Sequence, residues 1–137
     1  MRIAVAIDGS ENALRATEHT VFLAKHLPDA TLEFIFVIDL SKVKDNRLLT
    51  QNQESLALER EKKINPAVKI AEEAGVASSV TVLRGQPSQE IIKYVNGEPI
   101  AQLVLGSRGL NAFQEMILGS VSHKVMKHVD CPVTVVS

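Results

Sequence analysis

The sequence predicts an α/β fold in which a parallel sheet is covered on both faces by helices. Three observations carry that reading. Short runs rich in Val, Ile and Leu alternate with longer stretches of helical periodicity. The short runs are apolar almost throughout rather than at every second residue, as strands buried on both faces are. The chain of 137 residues is 45% hydrophobic and 23% charged, which suits one domain with a core of its own. The connections between parallel strands are expected to be right-handed crossovers.

The elements follow in order. The first strand is RIAVAID, residues 2–8. In the stretch after it Ala13, Leu14, Thr17, Val21, Ala24 and Leu27 recur at steps of three and four, one face of a helix. Ser10 is its expected N-cap, Glu11 suits the first turn and Pro28 stops it. ATLEFIFVID, residues 30–39, is the second strand. LSKVKDNRLLTQNQ is polar and poorly periodic and reads as a long loop. A charged helix is predicted over about residues 54–74, ended by Gly75 as its C′ residue. Pro66 within it either kinks the helix or divides it in two. SSVTVLRG, residues 78–85, is the third strand, and PSQEIIKYVN a short helix with Pro87 and Ser88 at its start and Gly97 after it. AQLVLG, residues 101–106, is the fourth strand. A loop punctuated by glycines leads to a helix over about residues 119–129, and PVTVVS closes the chain as the fifth strand. With no internal repeat, low-complexity tract or linker, residues 1–137 read as one domain.

Fifteen basic residues against sixteen acidic ones give a formal charge of −1, which argues against a dedicated nucleic-acid binder but leaves room for a local phosphate site. No apolar run approaches 18 residues, so no membrane span is expected, and MRIAVAID enters a strand without a leader-like stretch. The single cysteine excludes an intrachain disulfide and a cysteine-based zinc site. Cys131 is expected to be a buried, inert thiol and the cytoplasm the natural compartment. His19, His26, His123 and His128 fall in predicted helices without metal-ligand spacing and read as surface or boundary residues, His123 lying one turn into the last helix. There is no P-loop, no G-x-S-x-G elbow and no lysine among the clustered glycines. No general base can be assigned, so efficient turnover of a phosphate ester is not predicted.

Open parallel sheets bind ligands beyond the carboxyl ends of their strands, at a switch in strand order. Asp8, Gly9 and Ser10 follow the first strand, Val37, Ile38 and Asp39 end the second, and Arg84 and Gly85 end the third. The fourth leads into GSRGLNAFQEMILGSVSHK. There Gly106 and Gly109 flank Ser107 and Arg108, and Gly119 and Ser120 follow with Ser122 close behind. Glycines let a backbone approach a ligand, and a helix starting near Gly119 would offer unpaired N–H groups and its positive dipole end. Ser120 and Ser122 would add hydroxyl donors. Together these suggest a phosphate pocket. Glycines at a turn and a serine at a helix start are also ordinary fold grammar, and spacing by itself leaves both readings open.

Gly106, Gly109, Gly119 and Ser120 have the spacing G-x2-G-x9-G-[ST], and in this the chain resembles the nucleotide-binding branch of the universal stress protein family. IAVAIDGSENALRA is similar to that family's first strand and helix entry, and GSVSHKVMKHVDCPVTVV to its last helix and strand. The resemblance covers the whole chain and is most specific in the last third. It implies a five-stranded parallel sheet of order 3-2-1-4-5, Rossmann-like and similar to the adenine nucleotide alpha hydrolases. It implies ATP as ligand, with Mg or Mn bound through the triphosphate. Adenine and ribose would lie against Ala6, Ile7, Asp8 and Val37; Leu105, Gly106 and Gly109 would line the ribose and phosphate path; Gly119, Ser120, Val121 and Ser122 would hold the phosphates. Asp8 would contact ribose or a metal, or simply cap the next helix, and Arg108 would meet phosphate or pair with a surface acid. The implied order puts the apolar last strand at an edge, which invites a homodimer joined through it. The implied role is a regulatory, nucleotide-dependent stress module acting on an unidentified protein partner. A slow Mg-dependent ATPase and a nucleotide-free protein-interaction module are the alternatives.

Overall fold

The computed structural model describes residues 1–39, 53–107 and 119–137. The predicted polar loop lies outside the described residues except for its last residue, and so do Arg108 and Gly109. The elements are β1 (Arg2–Ile7), α1 (Glu11–His26), β2 (Thr31–Ile38), α2 (Gln53–Glu73), β3 (Ser78–Arg84), α3 (Pro87–Gly97), β4 (Ile100–Gly106), α4 (Ser120–His128) and β5 (Val133–Val136). The strands form one sheet of order β3-β2-β1-β4-β5 with every pairing parallel. Fold class and strand order are therefore as expected.

Alternation along the strands divides the core in two. Ile3, Val5 and Ile7 join Leu32, Phe34 and Phe36 on one face, against Ala13, Ala16, Val21 and Ala24 of α1 and Ile64, Ala67 and Ala71 of α2. Ala4, Ile35, Leu103 and Leu105 line the other, against Ile91 and Val95 of α3 and Val125 of α4. Covering on both faces holds for the inner strands. It fails at β3, an edge strand, where Val80 and Val82 are exposed.

Local chemistry sets the helix ends. The Ser10 hydroxyl caps α1 by accepting from Ala13 N–H at 3.2 Å. The buried stripe of α1 runs through Ala13, Ala16, Thr17, Thr20, Val21 and Ala24, while Leu14 and Leu27 are only half-buried at its margin. Small residues let this helix approach the sheet closely. Thr17 and Thr20 satisfy their buried hydroxyls on the Ala13 and Ala16 carbonyls, at 2.8 and 2.7 Å. α2 runs through Pro66 undivided, because Ile64 before it and Ala67 and Ala71 after it are all buried. Tertiary packing outweighs the proline penalty of roughly 3 kcal/mol. At its end Gly75 takes φ +70°, and the Gly75 and Val76 amides bond the Glu72 and Ala71 carbonyls, both at 3.0 Å. This is a Schellman closure, and the left-handed φ explains the glycine. α3 is capped by Gln86, whose side-chain oxygen accepts from Gln89 N–H and the Ser88 hydroxyl, and it includes Gly97 as its last residue.

At the amino-terminal end of the sheet Glu33 is buried on β2. Its carboxylate accepts from the Arg2 guanidinium, at 2.5 Å to Nη2, from Thr81 Oγ1 at 2.9 Å and from the Tyr94 hydroxyl. Arg2 also approaches Glu98, at 3.4 Å. The network ties β1, β2, β3 and α3 together. Burial works to raise the Glu33 carboxyl, but the hydrogen bonds from Tyr94, Arg2 and Thr81 and the Arg2 charge outweigh it and hold the group below the usual carboxylate range. Burial, with the Glu33 carboxylate beside it, pushes the Tyr94 hydroxyl up. A folded-state value below the unfolded one contributes stability that is complete above about pH 4.3 and is lost as pH falls through the folded value. Glu33→Gln is therefore expected to cost about 1–3 kcal/mol at neutral pH. In urea unfolding the gap from wild type should narrow below about pH 4. A gap that stays constant into acid would contradict the ionised carboxylate.

Candidate functional site

The carboxyl ends of β1, β2 and β4 meet the starts of α1 and α4 at the top of the sheet. β1 lies between β2 and β4, so the chain leaves the two sides of this point toward opposite faces: α1 packs on one and α4 on the other. That is the switch-point crevice of open parallel sheets.

The predicted residues take distinct positions there. Ile7 and Leu105 are buried, their side chains committed to the two core clusters, so each can offer only main chain. Ala6 and Val37 are half-buried on the α3 and α4 face, beside the second cluster. Asp8 lies just past β1, and its Oδ1 accepts from Ser10 N–H at 2.9 Å. This is a turn contact onto Ser10, and it is Ser10 rather than Asp8 that caps α1; the Asp8 residue is half-buried. Gly106 ends β4 where α1 comes closest. A Cβ there would sit 3.0 Å from the Asn12 side chain and 3.1 Å from its main chain, so close packing alone accounts for this glycine.

α4 begins at Gly119, an N-cap with φ −66° and ψ 156° and no side-chain cap. The first intrahelical bond runs from His123 N–H to the Gly119 carbonyl at 2.9 Å, which leaves the Ser120, Val121 and Ser122 amides outside the ladder. Ser120 is exposed and Val121 half-buried. Ser122 differs from expectation. Its hydroxyl donates to the Gly106 carbonyl at 2.6 Å, so its one hydrogen ties α4 to β4 and is not offered to a ligand.

The residue that spacing passed over is Ser107. It is 3% exposed. Its N–H bonds the Val136 carbonyl at 2.8 Å and its carbonyl accepts from Gly119 N–H at 2.5 Å, which fixes it between β5 and the start of α4. Its hydroxyl has no hydrogen-bond partner among the described residues. A buried unsatisfied hydroxyl costs about 1–3 kcal/mol and is uncommon. The sequence signal was its place directly after Gly106 within the glycine segment, but orphaning is a tertiary property. Elsewhere, His26, His123 and His128 are exposed and His19 half-buried on their helices. Cys131 is half-buried rather than buried, and burial pushes its thiol up, away from the reactive thiolate. No described helix is long and apolar enough to cross a membrane.

Known proteins of similar sequence and shape set this site in a family. The model of the universal stress protein family matches residues 1–137. Universal stress protein MJ0531 of Methanocaldococcus jannaschii is 32% identical over 98% of this chain and 81% of its own length. Universal stress protein YxiE of Bacillus subtilis is 32% identical over 98% of this chain and 97% of its own. Among solved structures, UspA of Lactobacillus plantarum superposes with a TM-score of 0.85 at 25% identity, covering all of this chain and 97% of that one. Two more distant structures share the fold and were solved with nucleotides. One is the Archaeoglobus fulgidus universal stress protein with dAMP, at TM-score 0.75 and 18% identity, covering 100% of this chain and 98% of that one. The other is a universal stress protein with cAMP, at TM-score 0.70 and 22% identity, covering 100% and 96%. By sequence along its whole length, this chain belongs to the universal stress protein family.

Proposed function

We propose that this chain binds ATP at the crevice and works as a regulatory module whose nucleotide occupancy a protein partner reads. The observation that carries the proposal is the orphaned Ser107 hydroxyl beside the uncapped start of α4. A phosphate oxygen there would accept from Ser107 and from the Ser120, Val121 and Ser122 amides, at the positive end of the helix dipole. Ala6 and Val37 would offer apolar surface to a base, and in this reading the Asp8 carboxylate, just past β1, would meet the ribose. The dAMP and cAMP complexes of family members support the adenine nucleotide class. Mg²⁺ or Mn²⁺ would enter with the nucleotide on its phosphate oxygens. The working compartment in this reading is the cytoplasm. Regulation requires a partner that distinguishes the loaded from the empty state.

The proposal includes a homodimer. β5 is an edge strand of four apolar or β-branched residues, all half-buried, and among the described residues no strand lies on its outer side. A two-fold copy of the same strand would pair its outer main-chain groups.

Calorimetry of ATP and Mg²⁺ into nucleotide-stripped protein should give about one ATP per chain. Gly119→Val keeps a backbone that valine tolerates, yet puts a branched side chain where phosphate must approach. It should weaken ATP at least tenfold in a folded protein, and unchanged affinity would refute the assigned phosphate site. Ser107→Ala has an opposed pair of effects. The ligand-free protein should melt at the same or a higher temperature, because an unsatisfied group is gone. Its ATP affinity should fall about fivefold, the worth of roughly one hydrogen bond. A mutant that loses stability and keeps its affinity would argue that Ser107 is a packing residue.

Val135→Asp puts a charge into the proposed strand pairing. Light scattering should report a shift from dimer to monomer, and an unchanged dimer would exclude β5 as the interface.

A further inference from the structure

Arg15 lies on the exposed side of α1, yet its guanidinium is anchored on both flanks. Nη2 donates to the Asn12 side-chain oxygen, and Nε donates to the Ser137 main-chain oxygen at 3.2 Å. Each anchor touches the start of the proposed phosphate path. Asn12 packs on Gly106, within 3.1 Å of where its Cβ would be. Ser137 follows Val136, whose carbonyl holds Ser107 N–H at 2.8 Å. The guanidinium is thus bracketed between the neighbours of Gly106 and of Ser107, whose buried hydroxyl is the unsatisfied group of the site. Arg15 uses two of its five N–H donors in these contacts, and no Asp or Glu pairs with it among the described residues.

We propose that Arg15 is a further phosphate-binding residue and makes the site selective for phosphate number. The cradle at α4 offers main-chain amides and hydroxyls, all of them neutral donors. A charged, planar fork beside it would take the terminal phosphates of a nucleoside di- or triphosphate in a two-pronged contact. Asn12, which packs on Gly106, and Ser137, which follows the Val136 that holds Ser107 N–H, hold the guanidinium on this side of the strand ends. This inference rests on the nucleotide reading given above and adds to it the source of discrimination among nucleotides.

The test is calorimetry of adenosine, AMP, ADP and ATP against wild type, Arg15→Gln and Arg15→Lys, each first checked for an unchanged melting temperature. Wild type should bind ATP and ADP more tightly than AMP. Arg15→Gln should lose about tenfold for ATP, less for AMP and less than twofold for adenosine, and its ATP affinity should depend less steeply on NaCl. Arg15→Lys, which keeps the charge without the fork, should recover part of the loss. An equal loss for adenosine would mark Arg15 as a structural residue and overturn the proposal, as would an Arg15→Gln protein with wild-type ATP affinity. In the second case wild-type ATP binding would leave the nucleotide reading standing. Wild type that binds none of the four would overturn both.

Discussion

Everything in this molecule is arranged around β1. Ile3, Ala4 and Val5 have no exposure at all, and each neighbouring residue faces a different helix pair. A strand buried on both faces can have no polar side chain in its middle, and this one has none. It also sits where the winding reverses. β2 and β3 extend the sheet on one side and β4 and β5 on the other, with α1 and α4 on opposite faces of it. The crevice follows from topology before any residue in it is chosen.

The two ends of the sheet then divide the labour. At the amino-terminal end the charged and polar groups are mutually satisfied: Glu33 gathers Arg2, Thr81 and Tyr94 and fastens three strands to α3. Losing one partner there leaves a buried carboxylate short of a donor, which is why the network acts on stability. At the carboxyl end the balance is reversed. Among the described residues the buried Ser107 hydroxyl has no partner, and Gly119 gives α4 no side-chain cap. Under the proposed function, a site that binds by completing hydrogen bonds leaves them incomplete beforehand, which sets this end of the sheet apart from the other.

What could be read from the sequence was mainly what local chemistry decides. The Ser10 cap and the Gly75 closure depend on the few residues around them, and both appear as expected. The order of elements followed from periodicity, and the strand order from the family resemblance. Features that depend on distant partners were not legible. Pro66 could be judged only against its own helix, whereas the sheet beneath Ile64, Ala67 and Ala71 decides the outcome. The hydroxyls of Ser107 and Ser122 look alike in sequence. That of Ser122 is spent on the Gly106 carbonyl, and that of Ser107, where β4, β5 and α4 converge, has no partner among the described residues. Arg15 gave no sequence signal, since its relation to Gly106 passes through Asn12 across the α1 contact.

The glycine spacing itself separates into different physical requirements. Gly106 is required by packing: α1 comes so close that a Cβ would press on Asn12. Gly119 has no such backbone demand, because φ −66° and ψ 156° suit any L-residue. A spacing pattern therefore mixes a residue that builds the fold with one whose lack of a side chain needs another reason. For Gly119 the proposed function supplies one: a side chain at the N-cap would stand over the same unladdered N–H groups that a phosphate would use. Gly119 is thus the glycine of the pattern that bears on the proposed site, and Gly106 the one that bears on the packing of α1.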